Sequence, residues 1–191
     1  MEALLKQLQS VRFRDKGYTG RKLLLTGSEH SFLSFLKRAL GENVFLVSTK
    51  LGLDIYYFSI ENRTEFIAKN LWLFRGEDGS AQHFNIEQRS GAAVLEFFDN
   101  AVNSLSGHPQ LFLSSCKKII SRFNELGVET PLNQILYTCF DNQLNRLILE
   151  DRHPFSSKIE RLRNEKEEPF LAVNNAAQRL LRDFKSRNPV N

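Results

Sequence analysis

The sequence has few of the residues that interrupt or cross-link a chain. Five prolines and ten glycines in 191 residues argue against long disordered linkers. The two cysteines, Cys116 and Cys139, are too few for a disulfide framework, and both fall on apolar faces of predicted helices. We therefore expect buried free thiols in a reducing compartment, with the cytoplasm as the default location.

Long hydrophobic runs are also missing. No apolar run approaches the ~20 residues that a membrane helix needs. The first ten residues, MEALLKQLQS, contain an acidic residue and no hydrophobic region typical of a signal peptide. We expect neither a secretory signal nor a membrane partner.

Motifs of common enzymes do not occur. The sequence has no G-x-S-x-G, no P-loop and no G-x-G-x-x-G. None of its four histidines has a His, Cys or carboxylate nearby at the spacing of metal ligands. These absences favour a non-enzymatic protein without a cofactor.

Sixteen phenylalanines stand out in an otherwise ordinary globular composition, and they imply a core filled largely by aromatic rings. Periodicity and turn signals predict an α+β fold. A small antiparallel sheet over about 44–88 follows one main helix and precedes a helical half of four to five helices. The predicted strands are 44–49, 53–60, 64–68, 71–75 and 82–88, and the predicted helices are 2–11, 26–40, 90–105, 109–126, 131–150, 156–166 and 169–186.

Several boundaries in this scheme depend on capping or turn residues. Thr26 and Glu29 predict a capping box, Gly41 a helix end, and Thr130 an N-cap. The break 76–79 predicts a hairpin between LWLFR and AQHFNIEQ. We expect residues 1–150 to form a single α+β domain with a basic N-terminal arm. Residues 151–191 are expected to form a helical appendage packed on it.

Positive charge is concentrated at the two chain ends. Residues 1–25 carry a net charge of +4 and residues 151–191 carry +3, whereas the segments between them are neutral or acidic. Cations interleaved with aromatic residues are typical of nucleic-acid contacts, although a solvated surface has the same composition. The candidate phosphate contacts are Arg12, Arg14, Lys16, Arg21, Lys22, Arg179, Arg182, Lys185 and Arg187.

The stretch 80–127 reads as strand, helix, helix. In this order it resembles the ribbon-helix-helix DNA-binding transcriptional regulators. That resemblance implies a dimer whose two strands pair and enter the major groove of double-stranded DNA. Alternate residues would then point to the core or to the groove. Phe84 and Ile86 would face the core. His83, Asn85 and Arg89 would contact bases, with Glu87 on the same side.

A second pattern overlaps the first. The segment SRFNELGVETPLNQIL resembles a helix-turn-helix, with Asn133 and Gln134 as readout residues. Residues 128–150 have a net charge of −2, which suits DNA poorly and equally fits two helices of a bundle.

Two other classes of protein stay open. The order helix, strand, strand, strand from residue 26 resembles the start of a PD-(D/E)xK nuclease core, active or degenerate. In that resemblance Asp54 and Glu61 would hold a metal ion that activates water, with Glu29 on the helix. Arg63 stands where that family has lysine. The third class is a protein-interaction adaptor or effector module, which the phenylalanine content suits equally well.

The hypothesis that we take forward is a DNA-binding protein, a bacterial transcriptional regulator acting as a homodimer. The basic ends would hold phosphates, and the strand of the unit 80–127 would read bases.

Overall fold

The structure is a computed structural model, and it describes residues 2–16, 23–49, 52–75, 84–127 and 129–164. In these residues the elements are α1 (Glu2–Lys6), β1 (Leu8–Asp15), α2 (Thr26–Leu40), β2 (Val44–Thr49), β3 (Gly52–Phe58), α3 (Thr64–Arg75), β4 (Phe84–Ser90), α4 (Ala92–Ser106), α5 (Pro109–Leu126), α6 (Pro131–Leu149) and α7 (Ser156–Asn164). The strands form one antiparallel sheet. The predicted α+β class is confirmed.

The chain divides into two compact units, Glu2–Phe97 and the residues from Phe98 onward. The first unit contains the sheet and α1 to α3. The second contains α5, α6 and α7, and α7 packs on α5 within it. Helix α4 contributes residues to both units. The boundary between the units does not coincide with the division that the sequence suggested at residue 150.

Strand β1 lies inside the sheet, which has the order β2-β3-β1-β4. The prediction of a helix over 2–11 is wrong beyond Lys6, and the predicted sheet begins too late. Residues 12–15 are strand rather than part of a loose arm. The reason is tertiary: β1 pairs with β3 and β4, both distant in sequence, and this pairing overrides the local helical pattern.

Helix α3 replaces two predicted strands, 64–68 and 71–75. Its β-branched and aromatic residues suggested strands, but Ile67 and Leu71 are buried at a spacing of four. That spacing puts both on one side of a helix. The predicted hairpin between LWLFR and AQHFNIEQ is therefore also wrong, because β4 pairs with β1 instead.

Helix α2 packs on α3 and β2. Phe32 and Phe35 of α2 contact Phe74 of α3, with ring centroids 5.1 and 5.5 Å apart. The predicted end at Gly41 is confirmed, because its N–H bonds to Lys37 O at a φ of 94°. The predicted capping box is wrong. Leu25 occupies the N-cap without a side-chain cap bond, and Thr26 already belongs to the helix.

In the second unit, α5 and α6 match their predicted positions closely. Thr130 is the N-cap of α6, with its side chain accepting from the N–H of Asn133, as expected. Both cysteines are buried and neither forms a disulfide within the described residues, and burial raises the pKa of Cys116 to about 12. Of the helices in the described ranges, none has the length and apolar character needed to cross a membrane.

Candidate nucleic-acid interface

The sheet of the first unit has two distinct faces, set by the alternation of side chains along each strand. One face contains Val11, Phe13, Ile55 and Tyr57, and we call it the α3 face. The Tyr57 hydroxyl accepts from the N–H of Arg63, immediately before α3, at 3.2 Å. The α3 face therefore carries α3, and both faces of the sheet contain buried apolar residues, since Leu8, Phe45 and Tyr56 lie buried on the opposite face.

The opposite face carries the charged residues of β1 and β4, and we call it the Arg12 face. In the strand register Arg14 lies opposite Asn85, Arg12 opposite Glu87, and Ser10 opposite Arg89. Alternation puts all six of these residues on one side of the two strands. Arg14, Asn85 and Arg89 are exposed. The predicted phosphate contact Arg14 thus lies opposite one predicted base contact, Asn85, and the other, Arg89, lies four residues further along β4.

Arg12 differs from its neighbours because it is buried, with 6% of its surface exposed. Its guanidinium donates to the Asp54 carboxylate of β3 in an ion pair. Burial alone would lower the pKa of Arg12, but Asp54, Tyr56 and Glu87 raise it, and the net change is a rise. Arg12 is a charged core residue. We drop the prediction that it contacts phosphate.

Phe97 of α4 completes this group. Its ring centroid lies 3.9 Å from Cζ of Arg12 and 5.3 Å from Cζ of Arg89. Sequence reasoning missed Phe97, which follows Arg89 by eight positions across the short turn from β4 into α4. Only the register that joins β1 to β4 shows that two arginines share the ring.

Strand β4 forms its main-chain hydrogen bonds with the sheet along one of its two edges, the edge that faces β1. Gly91 N–H donates to Leu8 O at 2.7 Å, which makes Leu8 and Gly91 a hydrogen-bonded pair. In an antiparallel ladder such pairs alternate with pairs that are not hydrogen-bonded, so every second residue of β4 before Gly91 bonds to β1. Asn85, Glu87 and Arg89 therefore direct their main-chain groups toward β1. Ile86 and Gln88 direct theirs to the opposite edge, where no strand pairs within the described part of the chain.

One further candidate contact lies in the described residues. Lys16 is exposed just after β1. The remaining predicted phosphate and base contacts lie outside the described residues, namely Arg21, Lys22, His83, Arg179, Arg182, Lys185 and Arg187. The structure thus places Arg14 opposite Asn85, and Arg89 on the same face four residues further along β4.

Of the two predicted helix-turn-helix reading residues, Asn133 and Gln134, the structure removes Asn133 from the surface. Asn133 is buried, and its side-chain amide donates to Gly127 O at 2.8 Å. Its role is to join the end of α5 to the start of α6, which pack on each other as two helices of a bundle. Asn133 therefore has no access to a base edge.

The carboxylates of the nuclease alternative do not form a metal site in the described ranges. Asp54 pairs with Arg12, and Glu61 pairs with Arg63 at 2.7 Å. No group of three His, Cys, Asp or Glu residues suited to a metal ion occurs there. The arrangement favours charge pairing over metal binding for both carboxylates.

No protein-family profile, curated protein or solved structure matches this chain.

Proposed function

We propose that this protein binds double-stranded DNA as a homodimer and acts as a bacterial transcriptional regulator in the cytoplasm. The supporting observation is that Arg14, Asn85 and Arg89 are exposed on the Arg12 face of two adjacent strands, with Arg14 opposite Asn85 and Arg89 four residues further along β4. Arginine suits phosphate and guanine, and asparagine suits adenine. A two-stranded antiparallel ribbon has the width to enter the major groove.

Glu87 lies among these cations and would repel phosphate if its charge were unbalanced. Arg12, directly opposite in the register, supplies an attractive charge, and its raised pKa includes a contribution from Glu87. The buried Arg12 is therefore shared between two carboxylates on this part of the face, Asp54 and Glu87. The outer residues Arg14 and Arg89 stay available to DNA.

The outer edge of β4, which pairs with no strand in the described part of the chain, supports the dimer. A second copy could pair its own β4 antiparallel to this one and join two sheets across a two-fold axis. Such pairing would put two copies of Asn85 and Arg89 on a continuous two-stranded ribbon. Ribbon-helix-helix proteins, which the stretch 80–127 resembles, contact DNA bases with a ribbon of this kind.

The first experiment is binding of a random-sequence DNA duplex at several salt concentrations. We expect binding to weaken steeply as salt rises, because cations that neutralise phosphates release counterions. Arg14→Ala should weaken binding to all sequences and reduce the slope of log K against log salt by about 0.9 for each copy of the chain, or about 1.8 for the dimer. The control is Lys69→Ala, which removes one exposed cation from α3 in the same unit.

Sequence reading needs a separate measurement. Asn85→Ala should relax the sequence preference seen by selection from a random pool, with little change in the salt slope. Absence of binding at low salt would contradict the proposal. A partner recovered on the β4 edge would then favour the protein-interaction alternative, since an open strand edge also accepts a strand of another protein.

A further inference from the structure

Two guanidinium groups share one aromatic ring on the Arg12 face. Cζ of Arg12 and Cζ of Arg89 both lie within the ~6 Å at which a cation is attracted to a ring. The two arginines differ in environment, because Arg12 is buried and Arg89 is exposed. The Phe97 ring thus connects a fixed cation to a surface cation.

The strand register explains how this grouping forms. Arg12 and Arg89 are diagonal neighbours on β1 and β4, since Arg12 faces Glu87 and Arg89 is two residues further along β4. Gly91, with a φ of 62°, turns the chain from β4 into α4, which then carries Phe97 back over the strands. Short connection and register together bring the ring to both guanidiniums.

The charges around the ring are unequal. Arg12 is neutralised by Asp54 and has Glu87 opposite it. Arg89 donates from Nη1 to Gln88 O at 2.7 Å, and within the described residues no carboxylate is ion-paired with it. Most N–H groups of the Arg89 guanidinium are therefore directed at neither a carboxylate nor the core. The position of this guanidinium is set by the Phe97 ring and by one hydrogen bond to the main chain.

We infer that Phe97 is a positioning residue that holds the Arg89 guanidinium ready to contact a nucleic acid. This inference rests on the proposed function. A free arginine side chain loses rotamer entropy when it binds, and a side chain already held in place loses less. Arg12 and Asp54 would fix the ring from the buried side, and Arg89 would make the contact.

The test is a double-mutant cycle on DNA affinity, with a random-sequence duplex as the probe. Phe97→Leu should weaken binding about two- to fivefold, the range of an exposed cation–π contact. Arg89→Ala should weaken it more. The double variant should bind no more weakly than Arg89→Ala alone, because the ring acts through Arg89.

Two further readouts separate positioning from general support of the fold. Phe97→Leu should leave the salt slope unchanged, whereas Arg89→Ala should reduce it if Arg89 touches phosphate. Phe97→Trp keeps a large ring with a stronger attraction for cations, so it should bind at least as tightly as the native protein. This variant also carries the test if Phe97→Leu does not fold.

The outcomes are distinct. If Arg89→Ala weakens binding and Phe97→Leu does not, or if the two effects add in the double variant, the role of Phe97 is overturned while the proposed function stands. If Phe97→Trp binds as weakly as Arg89→Ala, the role is likewise overturned. If the native protein fails to bind the duplex at low salt, the proposed function falls and this inference falls with it.

Discussion

Arg12 and Arg14 are two residues apart in one strand, face the same side, and yet have different environments. Arg14 is exposed, whereas Arg12 is buried against Asp54 and Phe97. The residue types alone predicted that both contact phosphate. Which arginine lies in the core depends on β3 and α4, which meet β1 only in the folded chain. The sequence was enough to name the candidate residues, but it was not enough to predict which of them are buried.

His153 is a second residue whose environment could not be predicted from the sequence. It lies between α6 and α7, edge-on to Phe112 of α5, with ring centroids 5.3 Å apart. Both of its ring nitrogens are buried, and among the described residues neither has a hydrogen-bond partner in another residue. Burial lowers the pKa of His153 from 6.5, and Arg163 lowers it further, while the backbone of His153 and Glu160 oppose the shift.

A lowered pKa means that the folded chain favours the neutral ring. The stability contributed by this site is therefore complete above pH 6.5 and is lost as the pH falls below that value toward the folded-state pKa. Urea unfolding over a pH series should show this loss in the native protein. His153→Leu should show less of it. His108→Leu, at an exposed histidine of the same unit, should keep it. Identical pH profiles for the native protein and His153→Leu would refute the assignment.

At the scale of elements, the sequence predicted the helices whose positions depend on local interactions. Helices α2, α5 and α6 carry their apolar stripes and end signals in contiguous sequence, and their positions were predicted closely. Strand β1 was missed because its buried Gln9 and Ser10 look like surface residues. They become interior only when strands from two other parts of the chain flank them.

The start of β3 gives a stability prediction. Gly52 has a φ of 144°, and an added Cβ would lie 2.4 Å from Phe13 O in the neighbouring strand. Gly52→Ala should therefore destabilise the protein by about 2 kcal/mol or more, measured by chemical unfolding. The control is Gly27→Ala in the first turn of α2, where the added methyl meets open space and alanine favours the helix by about 0.5–1 kcal/mol. Equal stabilities for the two variants would count against the close approach of β1 and β3.

At the scale of the whole molecule, the proposed dimer depends on one edge of β4. The N–H of Gln88 points away from β1, so proline there removes a donor only from the outer edge. Light scattering coupled to size exclusion should give twice the mass of one chain for the native protein, and one chain mass for Gln88→Pro. Gln88→Ala keeps the N–H and should stay dimeric, although both variants lose the side-chain bond with Thr64. A native monomer, or a dimeric Gln88→Pro, would exclude pairing through β4.

The central position of β1 also means that this strand is synthesised well before the strands that flank it in the sheet. Translation completes β1 at Asp15, but its neighbour β4 ends only at Ser90, 75 residues later. At synthesis rates of about 5–20 residues per second, this interval lasts roughly 4 to 15 seconds. During that time Val11 and Phe13, both destined for the core, have no completed sheet to enter. A nascent chain with this topology is exposed to chaperones and to misassembly until β4 emerges.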